Sequence, residues 1–355
     1  MKKHSTGSMT MGIDLGDRIS HVAVVDDSGE VTERFRVTTT RTGFEDAFGE
    51  RAAVRVVMEA TTHSRWVSSL LGALGHEVVV ANPRSLALIY KQQRKNDKRD
   101  AELLARVGRL DPQLLSPIQH RSDDAHADLS MVTTRDSLVR ARTSLISCVR
   151  GMVKAFGERL PSCSADSFHH KAAPHIPQPL LPAVQSLLRS IAKLTEEIHL
   201  LDRKITQLSK TKYPDTALLQ QVAGVGPITA LTFVLTLESP QRVSQSRQVG
   251  AYLGLVPRQD QSGAVDKQLR ITKAGNGYLR RLLVQCAHHI LGRFGPDTDL
   301  QRWGNRLSER GGKNARKRAV VAVARKLAVL LHTLWSTGEQ YVPVGYGKRP
   351  VAHAA

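Results

Sequence analysis

An α/β domain, then a long helical connector, then a mostly helical C-terminal region is the architecture this chain predicts. Three observations predict it. Residues 9–82 hold short apolar runs separated by Gly, Asp and Ser turns. Residues 184–208 repeat apolar side chains every seven positions. Residues 213–338 are dominated by helical periodicity with basic approaches to the helices.

The elements follow in order. Met9–Leu15, His21–Asp26 and Val31–Val37 read as a three-strand meander, and Phe44–Glu50 as a short helix. Val54–Glu59 reads as a buried strand, because four of its six residues are apolar. Ser64–Leu74 is a helix with Trp66, Val67, Leu70, Leu71 and Leu74 on its apolar face. His76–Ala81 is a fifth strand. Asn82-Pro83 ends it and opens another helix, since Pro suits a first helical turn. Three strands, then helix–strand–helix–strand–helix, is the order of a ribonuclease-H-like fold. There a strand-1 aspartate faces the end of the fourth strand. Residues 98–111 and 123–160 read as Arg-rich helices, completing a first domain over 9–160.

Pro161–Pro182 is rich in Pro, Ser and His and reads as a flexible linker. In 183–212, Val184, Ile191, Ile198 and Ile205 form one series, and Leu187, Leu194, Leu201 and Leu208 another. β-branched residues at a and Leu at d favour a two-stranded parallel coiled coil, hence a homo-oligomer. One amphipathic helix packed on its own domain is the alternative. From 213 to 338 the C-terminal domain opens with Leu218–Ala230, which resembles a helix-hairpin-helix. Gly224 and Gly226 permit its tight turn and leave N–H groups for a phosphate. Helices around Tyr278–Leu291 and Ala315–Leu334 follow, then a tail over 339–355.

The formal net charge is +19 and the sequence pI is about 10.2. A globular chain that basic usually meets nucleic acid; an anionic membrane surface is the weaker alternative. No segment reads as a transmembrane helix, and no apolar h-region follows the basic N-terminus. Cys148, Cys163 and Cys286 are far apart and form neither a zinc spacing nor a disulfide framework. A reducing cytoplasm fits, with the protein at the nucleoid.

Four carboxylates carry the chemistry. Asp14 sits between Ile13 and Leu15 in a central strand, where a charge is costly without a partner. Glu59 closes the fourth strand. Asp97 and Asp100, at i and i+3, share a helix face. Clustered carboxylates repel unless cations bind between them, and hard divalent ions take oxygen ligands. Paired ions of that kind break phosphodiester bonds. Availability favours Mg²⁺, with Mn²⁺ possible. Lys91, Arg94, Lys95, Lys98 and Arg99 surround the acids and read as phosphate contacts. So do Arg258, Lys273, Asn276, Arg280 and Arg281 around a glycine-interrupted helix start, and Lys313, Arg316, Lys317 and Arg318 before the last helix. Ser262-Gly263 alone reads as a hairpin turn. His169-His170 and His288-His289 are poor metal candidates, because neighbouring histidines on a helix point apart.

These residues together resemble the DEDD transposases of bacterial insertion sequences, insertion-sequence family one-ten. The resemblance rests on Gly12–Gly16, Met58–Thr61, Asn82-Pro83, Asn96–Ala101, Gly224–Ala230, Leu253–Arg258, Ser262-Gly263 and Ile271–Asn276. It implies a RuvC-like N-terminal domain, a coiled-coil connection and a C-terminal transposase domain. It implies Asp14, Glu59, Asp97 and Asp100 as the metal-binding tetrad and Ser262 as the serine that attacks DNA. It also implies an oligomer, a dimer or dimer of dimers. Its members use a structured RNA from the element that pairs with donor and target DNA. A RuvC-like endonuclease using water, with Ser262 a turn residue, is the competing expectation.

Overall fold

Short apolar runs between turns pair as strands in the N-terminal region. The structure, a computed structural model, describes residues 9–85, 97–263 and 265–344, with backbone alone for residues 97, 98 and 265–268. The chain divides into two compact units between His120 and Arg121. The expected first domain over 9–160, with its helical extension, spans the first unit and the first helix of the second. The helix that begins at Asp123 packs on helix 181–211, within the second unit.

In the first unit, β1 (Thr10–Asp14), β2 (Ile19–Val25), β3 (Val31–Thr38), β4 (Arg55–Glu59) and β5 (Glu77–Ala81) form one sheet. The strand order is β3-β2-β1-β4-β5. β2 runs antiparallel to β1 and β3; β4 runs parallel to β1 and β5. This mixed sheet is compatible with the ribonuclease-H-like α/β domain. Period-two alternation sorts its faces. Met11, Ile13, Val56 and Met58 meet α1 (Arg41–Phe48) and α2 (Ser64–Ala73) through Phe44, Phe48, Val67 and Leu71. Each fully buried Phe contributes about 1.5–3 kcal/mol. Val57, Val79 and Ala81 face the other way, under Leu104 and Val107 of α3 (Asp97–Leu110). Gly12 lies on that second face. A Cβ there would stand 2.0 Å from the Ala101 carbonyl oxygen, so the helix rests directly on the strand and only glycine fits.

In the second unit, α4 (Asp123–Ala155) is capped by Ser122, whose hydroxyl accepts from the Ala125 N–H. It pairs antiparallel with α6 (Leu181–Thr211). Arg135 pairs with Asp202, Arg142 donates to Thr195, and Val149 and Val153 meet Val184 and Ile191. The expected parallel coiled coil between chains is thus corrected at its a positions. Val184, Ile191, Ile198 and Ile205 are buried by their own chain, while the Leu187, Leu194, Leu201 and Leu208 series is only part-buried. A heptad seam shows that a partner helix exists; it does not say which chain supplies it. The expected flexible linker is also corrected. Residues 161–182 include α5 (Phe168–Ala172), and Phe168, Ala172 and Ile176 are buried against α4 and α6. Pro and Ser mark turns there, but the apolar residues between them bury the segment.

The rest of the unit comprises α7 (Thr216–Gln220), α8 (Pro227–Leu237), α9 (Val249–Tyr252), the hairpin β6 (Pro257–Ser262) and β7 (Val265–Ile271), α10 (Gly277–Ile290), α11 (Asp299–Glu309) and α12 (Ala315–Thr337). α8, α10 and α12 form its core. Contrary to expectation, α12 is long and apolar enough by length and composition to cross a membrane. Its Val323, Leu327, Leu331 and Leu334 are instead fully buried in this core.

Candidate active site and nucleic-acid contacts

Parallel pairing brings two of the acids together. Ile13 pairs with Met58, so Asp14 and Glu59 follow side by side at the carboxyl ends of β1 and β4. Both are half-buried. The direction of α3 brings the third and fourth near. Its C-terminal end sits by the strand starts. There Arg55 Nη1 donates to the Gly108 carbonyl at 3.2 Å and Arg109 Nη1 to the Asp27 carbonyl at 2.8 Å. With Ala101 over Gly12, the first turn of α3, bearing Asp97 and half-buried Asp100, lies toward the carboxyl ends of the strands. The side chains of Asp97 and Lys98 lie outside the described residues, as do Lys91, Arg94 and Lys95 altogether. Arg99 is exposed. Among the described residues no three His, Cys, Asp or Glu side chains are gathered closely enough to hold a metal. The donor chemistry nevertheless suits a hard cation, since every candidate ligand is a carboxylate oxygen.

Sequence reasoning missed a pair at the same edge. His63, just before α2, lies 3.5 Å through Nε2 from Asp17 Oδ1, in the loop after β1. The signal was present: His63 follows Glu59 by four residues, in the same strand-to-helix connection.

Ser262 ends β6 and pairs with Val265 across a two-residue turn. Gly263 holds φ +55°, the left-handed conformation such tight hairpins require. Ser262 is exposed, and among the described residues no base hydrogen-bonds its hydroxyl. The base of this hairpin is locked. Thr272 N donates to the Val256 carbonyl at 2.9 Å and Lys273 N to the Gly254 carbonyl at 3.1 Å. A Cβ on Gly254 would come within 2.1 Å of Ala274 N, and one on Gly275 within 2.1 Å of the Tyr252 carbonyl oxygen. The Leu253–Arg258 and Ile271–Asn276 motifs are therefore two halves of one clasp.

That clasp absorbs several expected phosphate contacts. Arg280 Nη1 donates to the carbonyls of Leu253 at 2.9 Å and Ala274 at 2.7 Å, stapling the halves together. The Asn276 carboxamide oxygen accepts from the N–H groups of Tyr278 and Leu279, and its nitrogen donates to Thr236. Arg281 pairs at 2.7 Å with the nearly buried Asp136, which Arg140 also contacts, and stacks on Tyr278. Burial raises the Tyr278 phenol above its ordinary pKa. These three side chains serve the fold. The others stay outward: Arg258 on β6, Lys273 at φ +56°, and Lys313, Arg316, Lys317 and Arg318 at the start of α12 are all exposed. Gly224 (φ +84°) and Gly226 form the turn between α7 and α8. This turn borders a cleft of about 520 Å³ that Gln220, Thr229, Gln285 and His289 also line.

Residues 11–157 match the transposase model for DEDD enzymes of IS110, and residues 216–303 match the transposase IS116/IS110/IS902 family. A probable family 20 transposase of Pseudomonas aeruginosa is 30% identical over 343 residues, covering 94% of this chain and 98% of its own. The transposase for insertion sequence element IS1111A of Coxiella burnetii is 27% identical, covering 93% and 90%. That for IS1328 of Yersinia enterocolitica is also 27% identical, covering 92% and 97%. The chain belongs to the IS110 family of transposases, enzymes that cut and rejoin DNA.

Proposed function

We propose that this transposase cuts DNA by serine attack, with Asp14, Glu59, Asp97 and Asp100 holding divalent cations and Ser262 as nucleophile. The observation that supports the tetrad most is the side-by-side placement of Asp14 and Glu59 under the first turn of α3. Bound Mg²⁺ (or Mn²⁺) would supply Lewis-acid activation of the attacking oxygen and charge neutralisation at the leaving oxygen. In the serine step a bond forms between Oγ of Ser262 and phosphorus. The bond from phosphorus to the 3′ oxygen breaks, and the serine proton ends on the freed 3′-hydroxyl. The phosphoserine link conserves the bond energy, so strand exchange needs no ATP. The hairpin clasp keeps Ser262 exposed on a fixed base, which suits attack on an extended polymer.

Lys91, Arg94, Lys95, Lys98 and Arg99 contact phosphates beside the acids; Gly224, Gly226, Arg258 and Lys273 do so in the C-terminal unit. Sequence choice falls to an element-encoded RNA that pairs with donor and target DNA. The working form is a homo-oligomer, a dimer or dimer of dimers; the part-exposed leucine series of α6 offers a face for the second copy. One observation favours a second reading. Ser262 sits in a hairpin turn with no base bonded to it among the described residues, as an ordinary turn residue would. Then a metal-dependent endonuclease would use water instead.

A denaturing gel separates the two. Purified protein is incubated with Mg²⁺, element-end DNA and RNA from the element's flank, comparing wild type with Ser262→Ala. Serine attack yields a DNA-linked protein band that the variant lacks. Cut DNA without a linked band, unchanged in the variant, would make the enzyme a water-using nuclease.

A further inference from the structure

The turn between α11 and α12 carries the densest uncompensated charge among the described residues outside the acid-rich edge. From 306 to 318 the chain reads Arg-Leu-Ser-Glu-Arg-Gly-Gly-Lys-Asn-Ala-Arg-Lys-Arg: six cations and one acid. Arg306, Arg310, Lys313, Arg316, Lys317 and Arg318 are all exposed. Arg302, one turn earlier, pairs with Asp297, whereas among the described residues none of the six forms an ion pair. The nearest thing is a long contact, 3.5 Å, from Arg318 Nη2 to the Gly311 carbonyl. Gly311 and Gly312, at φ +76° and +92°, fold the chain back so tightly that both helix ends contribute to one knob. Six like charges in so small a volume repel one another and cost stability unless an anion covers them.

Shape narrows the anion. Arg316, Lys317 and Arg318 are consecutive on a helix, so their side chains splay about 100° apart around its end. Arg306 and Arg310 flank from the other helix. A helix end about 10–12 Å across, with cations radiating from it, matches the roughly 12 Å major groove of B-form DNA and reaches both bordering phosphate chains. The A-form major groove is too narrow to admit it. Asn314 sits at the tip, exposed, and its side chain makes no capping bond to α12. A carboxamide in that position is free to meet base edges.

We propose that the α11–α12 turn is a duplex-DNA docking knob: the start of α12 enters the major groove, and Arg306 and Arg310 of α11 meet the bordering phosphates. This rests on reading Lys313, Arg316, Lys317 and Arg318 as backbone contacts and goes beyond it by naming B-form DNA and adding Arg306 and Arg310. The knob lies past residue 303, where the second family match ends.

Fluorescence anisotropy with a short DNA duplex and an RNA duplex of the same sequence tests it, over a salt series and with chelator present so that no cutting intervenes. Two variants are compared with wild type, Arg316→Gln/Lys317→Gln/Arg318→Gln and Arg306→Gln/Arg310→Gln. All five side chains are exposed, and unchanged melting by circular dichroism verifies folding. Each variant is expected to bind DNA duplex about tenfold or more weakly. Its salt slope should fall by about 0.9 for every phosphate contact removed, with a clearly smaller loss on RNA duplex. Equal losses on both duplexes would overturn groove docking while leaving backbone contact intact. No loss on either would overturn the contact reading as well.

Discussion

The starts of α10 and α12 look alike in sequence and differ in the fold. Each is a glycine-bearing basic stretch that opens a helix at an asparagine. At α10 the asparagine caps the helix, one arginine staples the hairpin clasp and the next neutralises Asp136. At α12 the asparagine makes no side-chain cap and the cations face solvent. The lesson is about where the partners come from. Arg281 finds its acid 145 residues upstream and Arg280 reaches the Leu253 carbonyl 27 residues upstream, so proximity in sequence could not reveal either contact. A cation run is available to nucleic acid only when the fold brings no acid or carbonyl to it.

The largest effect that would break this contrast concerns Arg280. Its two hydrogen bonds are charge-assisted, and removal leaves both carbonyls without that donor. Arg280→Ala should lower stability by about 2–4 kcal/mol. For a unit of this size that is a fall of about 2–4 °C in Tm for each kcal/mol. Thermal denaturation followed by circular dichroism measures it. The same variant should lose the serine adduct in proportion, since the clasp under Ser262 loosens. If Arg280→Ala instead melts like wild type and only weakens DNA binding, the arginine is a phosphate contact after all and the two helix starts are equivalent.

Much of the first unit was legible before any coordinates. Short apolar runs between turn residues marked the five strands, and the order of elements predicted the ribonuclease-H-like arrangement with which the mixed sheet is compatible. Asp14 and Glu59 could be paired for the same reason. What stayed hidden involves partners distant in sequence. The heptads of α6 announced a seam, but its a positions meet α4 of the same chain. The Pro-rich 161–182 stretch looked like a linker because the burial of Phe168 depends on α4 and α6 already being paired. Gly254 and Gly275 sat in two separate motifs, the second at a glycine-interrupted helix start read as a phosphate cradle. They are glycines because two backbones interlock there and a Cβ has no room.

A smaller effect sharpens the comparison at Asp136. The carboxylate is 8% exposed and bridges Arg140 and Arg281, which are themselves more open to water. Asp136→Asn keeps the shape and removes the charge, leaving two cations facing each other across it. The expected loss is about 1–2 kcal/mol by urea denaturation, less than for a fully buried pair because solvent screens both arginines. Arg281→Gln should cost about 1 kcal/mol or less and leave the salt slope of DNA binding unchanged. A slope lowered as much as by a knob substitution would put Arg281 among the DNA contacts and blur the division between the helices.

The smallest effect isolates the asparagines themselves. Both occupy the N-cap position, and only one behaves as a cap. Asn276 adopts extended backbone, with φ −68° and ψ 110°, and its side-chain oxygen takes two N–H groups. Asn314 has φ −124° and ψ 15°, which turns its side chain away from the first-turn donors. Replacing a working cap by Ala costs about 1 kcal/mol. Asn276→Ala should therefore lower the unfolding free energy in urea by that amount, while Asn314→Ala leaves it unchanged. Binding should show the reverse. Asn314→Ala should lower affinity for DNA duplex without altering the salt slope, since no charge is removed, and Asn276→Ala should leave duplex affinity unchanged. Equal destabilisation by both substitutions would mean that Asn314 caps α12 in solution. Its place at the tip of the knob would then be explained by helix stability, with no need for a base edge.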